Sequence, residues 1–221
     1  MSSTLLEKPA AKRDAIPPLE NGDHLSASEF LRRYEVMPEV KKAELIQNIV
    51  YMASPVRTDL HGEPDGLIQT WLGTYAAHRS GIRHATNSTV RLGPDDVPQP
   101  DAVLFLAPES GGRASIDEKG YLCGSPELVV EIAASSVSRD AREKLVSYRR
   151  AGVAEYLLWR VEDGVIEWFS LESDEYRPLP DHEGVVASRA FPGLALNVRA
   201  ALIGDRAAVL ETLRKALMAD A

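Results

Sequence analysis

The chain has 221 residues, and 25 Lys and Arg against 33 Asp and Glu give a formal net charge of −8. That length suits one domain with a buried core, and 44% hydrophobic with 26% charged residues excludes wholesale disorder. A single cysteine, Cys123, excludes an internal disulfide and a multi-cysteine zinc site, and no run approaches the roughly 18 apolar residues of a membrane span.

The N-terminus lacks the apolar stretch of a secretory signal, so the sequence reads as a soluble intracellular, cytoplasmic protein. Residues 1–24 carry Pro9, Pro17 and Pro18 without periodicity and read as a flexible arm; residues 25–221 read as one domain. Ser26-Ala27-Ser28-Glu29 has capping-box form and starts a helix with Phe30, Leu31 and Tyr34 on its apolar face, stopping near Pro38. Residues 43–53 read as a strand pair or one bent strand. Leu67, Ile68, Trp71, Leu72 and Tyr75 give an amphipathic helix within 61–79.

A strand is predicted over 82–92, another from Ala102 to Ala107, and a long loop over 108–126. The run E-L-V-V-E-I-A at 127–133 predicts a central strand, since adjacent Val129 and Val130 imply burial on both faces. A helix from about Ser138 to Ala151 follows, with Gly152 at its C-cap. Residues 154–161 and 165–170 form a hairpin around Asp163-Gly164, and a strand near 194–198 and a helix bearing Val209, Leu210, Leu213 and Leu217 complete the chain. The order predicts a mixed α/β domain on one sheet.

The acidic balance argues against non-specific coating of nucleic acid but not against a local basic groove. Residues 139–150 hold five bases (Arg139, Arg142, Lys144, Arg149, Arg150) and two acids, +3, whereas 155–183 hold nine acids and two bases, −7. One end could face a polyanion while the other repels it; solvated helix and loop charges are the plainer reading.

No Gly-rich phosphate loop, no G-x-S-x-G and no H-x-x-x-H occurs, which leaves nucleotide cradling, elbow hydrolases and helical two-His zinc sites unsupported. Acids remain. Asp101 opens a short strand, and Glu131 lies within V-V-E-I, where a carboxylate is costly unless paired or bound to a cation. If those strands are neighbours, the two acids could converge with a backbone carbonyl into the hard-oxygen environment that Mg²⁺ prefers. Asp140, Lys144 and Tyr148 share one helix face. Lys144 could lie over the carboxylates and act on a metal-bound water or a phosphate, or form only an exposed pair with Asp140. Glu44 could join the cluster as a ligand to a second metal or a support for the first, or be an exposed strand-end acid. His61 could contact a phosphate, cap the helix or serve structure alone.

Taken together, several motifs resemble a known pattern: E-L-I-Q-N-I-V-Y-M-A-S-P, His61 before a helix, P-D at 100–101, P-E-L-V-V-E-I-A-A-S-S from 126, D-x-x-x-K at 140–144 and Y-R-R-A-G-V-A-E-Y-L-L-W. This ordered series, over about residues 25–200, resembles the Uma-type putative restriction endonuclease family of the PD-(D/E)XK nuclease superfamily. The resemblance implies a restriction-endonuclease-like core, a mixed central sheet flanked by helices. It implies Mg²⁺- or Mn²⁺-dependent hydrolysis of DNA phosphodiesters, with Asp101 and Glu131 as metal ligands, Lys144 as catalytic lysine, Glu44 near the site, and a homodimer. Two departures stand out. The superfamily lysine would fall at position 133, which is Ala133, so the function shifts to Lys144 or is missing; Gln47-Asn48 replaces the usual Asp-Gly. A catalytically silent nuclease-fold binding or regulatory protein, and a phosphohydrolase acting on a small substrate, are the rival readings.

Overall fold

The computed structural model describes residues 16–52, 57–133 and 139–220, without the side chains of 139–142. In chain order the elements are α1 (Ala27–Tyr34), β1 (Ala43–Ile46), β2 (Ile49–Met52), a wide helical turn (Thr58–Gly62), α2 (Glu63–Ala77), β3 (Ile82–Thr86), β4 (Val90–Arg91), β5 (Ala102–Leu106), β6 (Ser115–Ile116), β7 (Leu122–Cys123), β8 (Leu128–Ala133) and α3 (Arg139–Ala151). They continue as β9 (Glu155–Arg160), β10 (Val165–Glu172), β11 (Glu175–Pro178), β12 (Asp181–His182), β13 (Val185–Ala187), β14 (Ala195–Asn197), α4 (Val198–Leu202) and α5 (Arg206–Ala219).

The central sheet has the order β11-β10-β9-β8-β5-β3. Its neighbours are antiparallel except β8 and β9, which run parallel and need the crossover that α3 supplies. The mixed α/β architecture read from the sequence is thus the observed one. Strand β8 lies inside the sheet with both faces covered, which is why its apolar run does not alternate.

Side-chain alternation divides the interior. Ala102, Leu104, Leu128, Val130, Leu157 and Trp159 face a core closed by α2, α4 and α5. Val103, Phe105, Val129, Tyr156 and Leu158 face the opposite core with Tyr148 of α3. A third cluster joins Phe30 and Leu31 of α1 to Leu45 and Val50 of the β1–β2 hairpin.

The structure corrects several expectations. The strand expected over 82–92 breaks at Asn87, which has φ 46°; β3 joins the central sheet, whereas β4 pairs with β7 in a small sheet with β6. That small sheet lies partly in the segment read as a loop. Gly164 closes the wider connection 161–164, and the two-residue turns in this half of the chain belong to Ser173-Asp174 and Glu183-Gly184, all at positive φ. The strands β11 to β13 around those turns lack the usual Asn-Gly signal. Residues 19–24 are tied to the hairpin rather than part of an arm: Leu19 is buried, the Gly22 N–H donates to Val50 O and the Val50 N–H to Asp23 O. The first 15 residues lie outside the described ones.

Glu155, at the start of β9, is a buried acid with four donors. Its oxygens accept from the Arg189 and Ala190 N–H groups, the Ser188 hydroxyl and the Trp168 indole, tying the sheet to the segment before β14. Glu155→Leu strands these donors away from water and is expected to cost about 3–5 kcal/mol in urea unfolding. A loss below about 1 kcal/mol would mean that the network contributes little.

Candidate active site

Strands β5 and β8 are neighbours in the register Ala102↔Val130, which sets Asp101 across from Glu131 at one end of the pair. Both side chains point to the face covered by α3, the side of Val103 and Val129. The Ile132 N–H donates to Asp101 Oδ2 at 2.8 Å, locking the carboxylate onto the next strand. Asp101 is only 2% exposed. The acids expected to converge therefore do.

Helix α3 brings Lys144 and Tyr148, one turn apart, down onto Glu131. Lys144 Nζ donates to Glu131 Oε1 and Oε2 at 3.1 and 3.2 Å, and the Tyr148 hydroxyl donates to Oε1 at 2.6 Å. Glu44 of β1 accepts from Lys144 Nζ at 2.8 Å and from the Gln99 N–H at 2.7 Å. Lys144 is thus the buried bridge between two carboxylates. The Asp140 side chain lies outside the described residues, as do those of Arg139 and Arg142; the Arg149 guanidinium donates to Asp174 O.

The β1–β2 hairpin delivers Glu44. Gln47 and Asn48 form its two-residue turn at φ 49° and 65°, so the replacement of Asp-Gly keeps the tight reversal. Asn48 Nδ2 donates to Leu25 O and Asp95 Oδ1, which supports the left-handed backbone. Buried Asp96 accepts from the Gln47 N–H and the Ser147 hydroxyl, and the Tyr51 hydroxyl donates to Glu143, so the hairpin is docked on α3. Glu44, Ile46, Tyr51, Glu143 and Lys144 border a cavity of about 60 Å³ beside the site.

Two basic groups meet Asp101 from elsewhere in the chain. His61 sits in the turn before α2, with Nε2 3.3 Å from Asp101 Oδ1; Gly62 occupies the helix N-cap, so His61 reaches the acid and does not cap. Lys42 Nζ lies 3.0 Å from the same oxygen. Lys42 was missed by the sequence reading. Its signal was the K-x-E spacing, which puts Lys42 and Glu44 on one side of an extended chain.

These charges set one another. Burial opposes ionisation of Asp101, but the His61 hydrogen bond and the Lys42 charge outweigh it and hold the carboxyl well below the usual range. Burial pushes Glu131 upward, helped by Asp101 and Glu44 against the pull of Lys144. Burial also opposes the Lys144 charge, yet Glu131 and Glu44 keep it an ammonium well above its ordinary value. Burial holds Tyr148 protonated, so its hydroxyl remains a donor.

Behind the site, Gln69 of α2 donates to Asp101 O and Asp65 Oδ1 while its carbonyl meets His84 Nε2 at 2.8 Å. Burial lowers the His84 pKa from 6.5. Between about 6.5 and the lower folded value, the unfolded chain holds the extra proton, so acidification through that window costs stability. NMR titration is expected to give His84 a midpoint below about 6.5, and His84→Gln should remove that part of the pH dependence of unfolding. A midpoint at or above the free-histidine value would contradict the burial.

Among the described residues no group of three or more His, Cys, Asp and Glu side chains forms a ready cage for a metal ion. Mg²⁺ commonly takes only one or two protein carboxylates, filling its shell with water and substrate phosphate oxygens. The paired carboxylates of Asp101 and Glu131, on adjacent strands, fit that requirement.

A mixed sheet carrying acids on two central strands, with a lysine from the crossover helix above them, is a nuclease-type α/β fold. A solved structure described as a putative nuclease belonging to DUF820, from Anabaena variabilis, has a similar fold. The match has a TM-score of 0.62 at 13% identity and covers 79% of this chain and 97% of that one. The chain belongs to the Uma2 family, described as putative restriction endonuclease, which matches residues 27–199. No curated protein matches the chain. No helix among the described residues is long and apolar enough to cross a membrane.

Proposed function

We propose that the protein is a Mg²⁺- or Mn²⁺-dependent endonuclease that hydrolyses DNA phosphodiester bonds by a metal-activated water. What carries this reading is the placement of Asp101 and Glu131 across the β5–β8 pair, with the Lys144 ammonium 3.1 Å from Glu131. Membership of a family described as putative restriction endonuclease supports the same chemistry.

In this reading Asp101 and Glu131 would hold the cation, which when bound would supply a water of lowered pKa and neutralise phosphate charge. Lys144 fixes Glu131 and Glu44 against each other and keeps a positive charge beside the reacting phosphate, where a water-poor site makes it effective. Tyr148 orients Glu131 from below, and His61 orients Asp101 from the side. Glu44 acts as a support for Lys144. A homodimer acting on DNA inside the cell, with two sites for two strands, is the assembly this reading expects.

The test is incubation of purified protein with supercoiled plasmid and Mg²⁺ or Mn²⁺, with a chelator as control. Nicked and linear products are expected with either cation and none with the chelator. No product under any condition would end the nuclease reading. One observation favours a second reading, a binding protein without turnover: Asp101 already receives Lys42, His61 and the Ile132 N–H, so a cation competes with these partners for its charge.

A further inference from the structure

The site contains two ammonium groups in different situations. Lys144 is 12% exposed and is held between two carboxylates, in contact with Glu44 Oε1 and with both oxygens of Glu131. Its charge is divided between those two acids. Lys42 is 27% exposed and has a single hydrogen-bond partner among the described residues, Asp101 Oδ1, which occupies one of its three donors. It stands at the outer side of the acids, on a flexible four-carbon stem suited to following an anion.

A polyanion approaching Glu44, Asp101 and Glu131 meets three carboxylates, and the more exposed ammonium, with one acid partner among the described residues, is what its phosphate can bind. We infer that Lys42 is the residue that contacts the DNA phosphate at this site, while Lys144 organises the carboxylates beneath it. The inference rests on the nuclease reading for its substrate and extends it by dividing the roles of the two lysines. When a cation takes Asp101, the Lys42 ammonium leaves Oδ1 and is free to move to the phosphate.

The test uses full-length protein and a duplex DNA with Ca²⁺ in place of Mg²⁺, binding being followed by fluorescence anisotropy at several salt concentrations. Lys42→Ala is expected to weaken binding roughly five- to tenfold near 0.1 M salt and to reduce the log–log salt slope by about one. Lys42→Arg should restore both. Mn²⁺ affinity without DNA, measured by calorimetry, should be equal or higher in Lys42→Ala, because the competing ammonium has gone. Wild-type DNA affinity and slope in Lys42→Ala, or absence of DNA binding by the wild type, would overturn the inference. So would loss of Mn²⁺ binding in Lys42→Ala, which would make Lys42 a structural prop of Asp101. The nuclease reading fails on a different measurement: if Lys42→Ala weakens DNA binding while the wild type nicks nothing, the phosphate contact stands and the catalysis does not.

Discussion

Asp101→Asn is expected to abolish measurable Mn²⁺ binding and to lower plasmid nicking about a thousandfold, because the metal supplies several kcal/mol and each ~1.4 kcal/mol is a factor of ten. The substitution is conservative in shape. Asn can still accept from the Ile132 N–H through its carbonyl oxygen, so the β5–β8 junction keeps its hydrogen bond. What it loses is the charge that faces Lys42 and His61 and would face a cation. A thermal melt within a few degrees of the wild type would separate loss of the site from loss of the fold. Unchanged nicking by Asp101→Asn would remove Asp101 from the chemistry, and the metal assignment with it.

Lys144→Met should reduce turnover at least a hundredfold and also destabilise the fold by about 3 kcal/mol or more, since it leaves Glu131 and Glu44 buried without their counter-ion. The two effects can be separated. Adding Glu131→Gln to Lys144→Met removes one of the two uncompensated charges and is expected to recover part of the stability in urea unfolding, with activity still absent. If Lys144→Met lowers stability but leaves nicking at the wild-type rate, Lys144 is a structural counter-ion and the turnover role is wrong.

The candidate site was legible to different degrees along the chain. Glu131 stood out because a carboxylate in the middle of an apolar strand needs a partner, and it has two, Lys144 and Tyr148. Spacing of four put those partners on one helix face. Glu44 and His61 could only be candidates, since nothing local distinguishes a strand-end acid or a pre-helix histidine from an exposed one. Lys42 was not seen at all. Its partner lies 59 residues away, and a lysine beside another lysine reads as solvated charge until the hairpin is docked.

The sequence by itself determined the mixed α/β class, the central position of β8, the crossover helix and the set of acids available for a cation. Those follow from hydrophobic periodicity and from the cost of burying charge, which are properties of short segments. Only the tertiary structure decided which lysine serves which acid, that Gln47-Asn48 still makes the tight hairpin, and that residues 19–24 are tied to it. Such outcomes depend on strand register and on side chains arriving from remote parts of the chain, and one residue of register would have turned Asp101 and Glu131 to opposite faces of the sheet.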